Sequence, residues 1–278
     1  MAWPKIKNII ILILLGTNLC LLTFALGRGI ADRKQQDQAR ENAISFLQGQ
    51  GVHLDEKLVP LTMELQPQLV KRDTQQEQKI AEALLEGEVF SEVRGTAVYR
   101  YSNANGSVQF HSNGDFSAEF SGIGQLAGEQ ELTEHGRKML KRLDFEGELL
   151  GSQQKGDTCT LTFRQVWEKE PLLNCQVVLR YVNGALTSIT TGRRLNGTPE
   201  KNDSLQSVTV ATALMKFHTG MKRSGDVYTQ ITEITPGYVF GSTLSEMVPL
   251  VPVWRISTDI GTFQLDITSG TAGRITTG

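Results

Sequence analysis

The sequence is poor in the residues from which local chemical motifs are usually built. It holds 3 cysteines and 4 histidines in 278 residues. So few cysteines exclude the multi-bridge framework of a small disulfide-built secreted domain. His53, His111, His135 and His218 are scattered outside H-E-x-x-H spacing, and no cysteine pair has ligand spacing, so local motif assembles no metal site. No G-x-S-x-G elbow occurs. Clustered positive charge is lacking as well. Lys and Arg number 28 against 30 Asp and Glu, and setting aside Lys5, Lys7 and Arg28 of the acid-free first thirty residues leaves 25 against 30. A mildly acidic body without a basic stripe argues against a nucleic-acid partner, whose phosphates need clustered cations to displace counterions. The 39% hydrophobic and 21% charged composition is that of a globular chain, neither disordered nor collagenous.

What the chain does have is one long apolar run. From Asn8 to Gly27 no residue is charged, and Ile9 to Leu26 is 18 residues, which as a helix spans roughly 27 Å, close to a bilayer core. Trp3, Lys5 and Lys7 flank one end and Arg28, Arg33 and Lys34 the other, a balance of charge that does not fix orientation. Ala25-Leu26-Gly27 offers a small-x-small cleavage pattern. The run nevertheless exceeds the roughly 7 to 15 residues of a signal h-region, which favours an uncleaved anchor. Leu19 before Cys20 departs from the small residue that lipidation requires. Gly16, Cys20, Thr23 and Gly27 form one helical stripe of small side chains, and Asn18 places an amide at membrane depth. Together these five residues are the candidate transmembrane interface. The bland alternative is that Asn18 bonds to its own helix and that small residues are simply common in membrane spans.

Beyond the run, periodicity predicts helices over Ala39 to Leu47, after the Thr74-Gln75-Gln76-Glu77 capping box, near Leu132 to Leu143, and from Leu205 to His218. Strands are expected at Ala97 to Tyr101, Ser107 to His111, Phe116 to Phe120, Thr158 to Trp167, Leu172 to Val182 and Ala185 to Thr191. Others follow at Val227 to Phe240, Val251 to Thr258 and Thr262 to Ile267, with a last one to Thr277. Ile189-Thr190-Thr191-Gly192 recurs as Ile275-Thr276-Thr277-Gly278, and the same offset links Asn183-Gly184 to Ser269-Gly270. The expected fold class is therefore α+β, one N-terminal transmembrane helix followed by two related helix-plus-antiparallel-sheet units. The divisions are a tail (1–8), an anchor (9–26), a linker (27–40), a first part of the ectodomain (41–130), a first unit (131–192) and a second unit (205–278).

Chemistry is sparse. Gly122-Ile123-Gly124-Gln125-Leu126-Ala127 fits a dinucleotide fingerprint, but the preceding strand belongs to an antiparallel meander rather than a βαβ unit, so the glycines are expected to form a loop. Glu129, Glu131 and Glu134 precede a helix, where acids suit the positive dipole end. Trp167 and Trp254 are expected in packing roles. If the turn at Lys169-Glu170-Pro171 sets Trp167 near Leu172, Cys159 lies opposite about Arg180 and far from Cys175, so both are expected as free thiols. No catalytic residue, metal ligand or cofactor is assigned.

Two stretches carry a family likeness. Trp3-Pro4-Lys5-Ile6-Lys7-Asn8-Ile9, leading into an apolar helix with Asn18 near its middle, resembles the start of the YycI-type regulators of the YycH/YycI family. Val248-Pro249-Leu250-Val251-Pro252-Val253-Trp254-Arg255-Ile256, running into Phe263-Gln264-Leu265-Asp266-Ile267-Thr268-Ser269-Gly270, resembles that family's last hairpin and, more loosely, PepSY-type modules. The chain departs at Ile267, where such hairpins more often have Ala. The resemblance implies a bacterial single-pass membrane protein, its N-terminus cytoplasmic and its body extracytoplasmic. It further implies a non-enzymatic regulator acting with a YycH-like sister protein on a WalK/YycG-type sensor histidine kinase that controls cell-wall metabolism. The competing expectation is an envelope enzyme or a PepSY-like protease-modulating module acting on wall or peptide substrates; a third is a plain scaffold of the wall machinery.

Overall fold

A helix, α1, covers 32–49, and turns Ala43, Ile44 and Leu47 inward while Ala39 and Phe46 face out. The computed structural model describes residues 32–95, 98–123, 126–242 and 247–275. The apolar run with Gly16, Asn18, Cys20, Thr23 and Gly27 lies outside the described residues. No helix among the described residues is long and apolar enough to cross a membrane, so the structure lends no support to the expected transmembrane helix. The stretch expected as a linker is already helical from residue 32.

After α1 come β1 (His53–Leu54), a 3-10 turn (Glu56–Leu58), β2 (Gln68–Lys71), α2 (Thr74–Leu84), β3 (Phe90–Arg94), β4 (Val98–Asn103), β5 (Gly106–His111) and β6 (Asp115–Ile123). Then follow α3 (Glu129–Arg142), β7 (Gly147–Lys155), β8 (Thr158–Trp167), β9 (Glu170–Val182), β10 (Ala185–Arg193) and β11 (Pro199–Lys201). The chain continues with α4 (Val210–Ser224), β12 (Gln230–Phe240), β13 (Met247–Thr258), β14 (Gly261–Asp266) and β15 (Ala272–Arg274).

The expected pair of helix-plus-sheet units is not what the chain builds. The described strands form one 15-stranded sheet, with β11-β2-β13-β12-β9-β10-β6-β5-β4-β3 as its main path. Two connections override the chain order. β2, from the first quarter of the sequence, pairs antiparallel with β13 through Met247↔Lys71 to Leu250↔Gln68. β9 is long enough to pair with β8 along most of its length, with β10 over Val178–Val182, and to meet β12 in parallel at Tyr238↔Leu172. Local hydrophobic periodicity specifies strands but not which distant edge each one finds.

Two apolar clusters result. One joins Ile44 and Leu47 of α1 with Leu214 and Phe217 of α4, Val70, Trp254, Ile256 and Phe263. The other joins Ile80 and Leu84 of α2 with Met139 and Leu140 of α3 and the inward side chains of β4–β6 and β8–β10. β9 serves both, giving Leu172 and Cys175 to the first and Val177, Leu179 and Tyr181 to the second. Where α3 crosses, Gly136 lets the helix approach Leu161, Phe163 and Leu179; an added Cβ would stand 3.1 Å from Leu179 Cδ1.

Three local expectations change. Asp73, not Thr74, caps α2, its carboxylate accepting from the Gln75 and Gln76 amides at 3.0 Å. Glu77 is therefore released from the capping box and turns inward. The β8–β9 hairpin closes through Glu168 and Lys169, both at positive φ (50° and 72°), with Trp167 opposite Glu170. A register shift between Arg164 and Val166 then sets Cys159 opposite Tyr181, one residue from the expected register. Both cysteines are free and buried, Cys159 in the second cluster and Cys175 in the first. Trp254 is a core residue, and Trp167 packs edge-on to Tyr238 at 5.6 Å.

Candidate interaction surface

α1 is held to the body by polar side chains as well as by its apolar face: Gln48 Nε2 donates to Leu54 O at 3.1 Å, and Arg40 makes a larger clamp. Arg40 is buried, and its guanidinium donates to three backbone carbonyls: Glu56 O at 2.6 Å, Val59 O at 3.0 Å and Pro60 O at 3.1 Å. Such charge-assisted bonds are among the stronger ones a protein makes. At the other end of the helix Lys222 Nζ donates to Gln50 Oε1 at 3.0 Å.

Beside this clamp, α1 and α4 leave an open groove of about 1110 Å³. Ala39, Asn42, Ala43 and Phe46 form one wall, Met215, Lys216, Thr219, Gly220 and Arg223 the other, and the turn at Ser269 to Ala272 closes an end. Small side chains keep the floor low. The lining contains Lys216 and Arg223 and no carboxylate. Lys216 Nζ donates to Ser269 O at 2.8 Å, which fixes the turn to the helix. Burial pushes the Asp266 carboxyl up, but the Thr268 and Ser269 hydroxyls at 2.7 and 2.8 Å, helped by the amides of the same residues, hold it below the ordinary range and shape that turn. Phe46, 44% exposed, stands edge-on to His218 at 6.1 Å. His218 itself is bonded through Nδ1 to Tyr228 Oη at 3.1 Å, and burial, with Lys222 nearby, lowers its pKa.

A polar seam lies between the two clusters. Glu77, fully buried, accepts from Arg72 Nε at 2.8 Å and from Arg72 Nη2 at 2.9 Å, and the Arg72 guanidinium lies 4.8 Å from the Tyr99 ring centroid. Burial pushes the Glu77 carboxyl up, and Arg72 pulls it back. Arg194, also buried, leaves Nε and Nη1 without a partner among the described residues, and burial lowers its pKa. Asn196 ties the seam to two strand ends, its Nδ2 donating to Ser112 O at 2.8 Å and its own carbonyl accepting from Asp73 N at 2.7 Å.

The residues singled out for chemistry are dispersed. Gly122, next to last in β6, has φ 89°, Leu126 N donates to Gly184 O at 3.0 Å, and β6 runs antiparallel to both its neighbours. Glu129 and Glu131 occupy the first turn of α3, where Glu131 accepts from Ala127 N at 2.9 Å and Glu134 from Gln130. Among the described residues no three His, Cys, Asp or Glu side chains are grouped to hold a metal ion. The groove residues escaped the sequence reading. On α1, helical spacing groups Ala39, Ala43 and Phe46 with Ile44 and Leu47, yet Ala43 enters the core while Ala39 and Phe46 face out to the groove.

No family model matches the chain, and no curated protein matches it. Among solved structures it is similar to an uncharacterized protein from Eubacterium rectale, at 13% identity and a TM-score of 0.47 over 76% of this chain and 86% of that one. It is also similar to the YpeB C-terminal domain from Bacillus megaterium, at 11% identity and a TM-score of 0.35 over 75% of this chain and all of that one. A third is YycH from Bacillus subtilis, at 14% identity and a TM-score of 0.37 over 71% of this chain and 52% of that one. These likenesses assign no activity to this chain.

Proposed function

We propose that the protein is a membrane-anchored, non-enzymatic regulator of a two-component sensor histidine kinase that controls cell-wall metabolism. It acts through the anchor at Gly16, Asn18, Cys20, Thr23 and Gly27 and through extracytoplasmic contacts, with a YycH-like sister protein beside it. The terminal motifs suggest this partner class, and the observation that carries a contact mechanism is the groove between α1 and α4. It lies on the helix described from residue 32, five residues after the uncharged run ends in sequence. A partner seated there would press on a helix whose other face is fixed in the core and whose Arg40 is bonded to three carbonyls. Anchor and groove would then report on one kinase state better than another, and the shift in signalling would equal that difference in binding.

The test uses the full chain in its own cell envelope. Single cysteines at Gly16, Thr23 and Gly27 in a Cys20→Ser background, and photo-crosslinking residues at Phe46 and Thr219, should capture the same sensor kinase. Removal of the protein should change kinase output. Capture at neither surface, or unchanged output, would overturn the reading. A mature chain lacking residues 1–27 would overturn its membrane half.

A further inference from the structure

β7 is an edge strand of unusual exposure. It pairs with β8 alone among the described strands, and all of its residues after Gly147 are exposed, on both faces of the sheet. Its side chains that share a face with buried Phe163, Leu161 and Cys159 are Leu149, Ser152 and Gln154, and α3 leaves them uncovered. A β-bulge between Leu149 and Gly151 brings Leu149 and Leu150 out side by side, 38% and 44% exposed. Natural edges of this length are normally blunted by an interior lysine, a proline or a covering loop. β7 has no proline, and its one lysine, Lys155, is its last residue. The opposite edge, β3, is five residues long and carries Glu92 and Arg94.

We propose that β7 is a homotypic docking edge, pairing antiparallel with β7 of a second copy of this chain about a two-fold axis near Leu150 and Gly151. Charge selects this occupant. Exposed Glu146 and Glu148 stand at one end of the strand and Lys155 at the other, with Glu148 also bonded by Arg164 Nε at 2.7 Å. An antiparallel copy sets the acidic end beside the basic one; a parallel copy sets like beside like. Isologous pairing also closes on itself. The eight-stranded stretch β7-β8-β9-β10-β6-β5-β4-β3 would continue into its mate and stop there, whereas β3-to-β7 pairing would propagate without end. The leucines at the axis would leave water, and the free backbone N–H and C=O groups of the outer edge would find partners. This pairing does not rest on the kinase reading and survives its failure.

The experiment uses the full chain in membranes with Cys20→Ser and with the buried Cys159 and Cys175 retained. Single cysteines replace Glu148 through Gln154 in turn, and Val227, an exposed residue elsewhere, serves as control. Mild oxidation should give a disulfide-linked self-dimer with a sharp maximum at Leu150 or Gly151, since only residues at the axis meet their own copies. Adding Gln153→Glu, which sets a second anion beside Glu148 of the mate while leaving the core untouched, should reduce that product several-fold, and a denaturation midpoint equal to that of the parent confirms the fold. A flat profile across β7, a product no greater than at Val227, or capture of a different protein at the maximum would overturn the proposal.

Discussion

Replacing Arg72 with Met separates the charged part of the polar seam from its packing. Met keeps most of the side chain's length but leaves the fully buried Glu77 carboxylate without its two-pronged partner. Removing one member of a buried ion pair costs about 3–5 kcal/mol. Arg194 remains close enough to attract Glu77, which places the expectation near the lower end of that range. Loss of the guanidinium from the Tyr99 ring adds about 0.5–1 kcal/mol. The two parts have different pH signatures. Burial already raises the Glu77 pKa above the ordinary 4.5, and without Arg72 it rises further. A group whose pKa is higher in the folded state contributes its stability fully below the unfolded pKa and loses it as pH rises through the folded one. The cost of R72M should therefore be small near pH 4.5, grow through mildly acidic pH, and level off once Glu77 is ionised in the folded variant. Only the ring-stacking part should persist at low pH. Urea unfolding of parent and variant at several pH values measures this, and Glu77→Leu added to R72M should recover most of the neutral-pH loss. A cost below about 1 kcal/mol at pH 7.5, or one independent of pH, would refute a buried ionic pair as the source of the seam's stability.

Other perturbations test other parts of the fold. Gly197→Ala should cost about 2–3 kcal/mol in urea unfolding, because its Cβ would collide with the Lys71 carbonyl that β2 holds in place. Cys175, its thiol pushed up to about 12 by burial, should resist alkylation at pH 8 in a Cys20→Ser chain until urea unfolds it; labelling at the rate of a free thiol would show that the shared strand opens locally. His135 and His218 both have lowered pKa values through burial, so their contribution is present above the unfolded value of 6.5 and is lost as pH falls below it. A variant with both changed to Gln should lose less stability between pH 7 and pH 5 than the parent, as read from urea midpoints.

How much of this was legible depended on whether each signal was local. The β8 strand carries strict alternation, Cys159, Leu161 and Phe163 inward, and its ends were expected where they occur. α4 begins later than periodicity suggested because Thr209 supplies the cap, accepting from Thr212 N at 3.3 Å, and it runs on to Gly225 in the left-handed conformation. β7 was invisible because a strand exposed on both faces has no reason to alternate. The repeated hairpin endings suggested two units, yet Gln68–Lys71 joins β13 across most of the sequence, a pairing that no short window contains. Glu77 fitted a capping box in spacing, but a carboxylate one residue before Thr74 took that role and freed Glu77 for the seam. The groove formed from two helices far apart in the chain, so only its α1 wall had a sequence trace.

The seating of α1 and β2 against the last third of the chain sets a timetable for synthesis. Ile44, Leu47 and Val70 leave the ribosome long before Phe217, Val248 and Trp254, which will bury them, exist. Contacts so distant in sequence form late, and the apolar surfaces awaiting them are exposed meanwhile. The middle of the chain, from α2 to β10, contains its own cluster and can condense first. α1 must then wait as an unsatisfied amphipathic segment until termination releases its mates. Truncation after β10 should leave a chain whose leading end never docks.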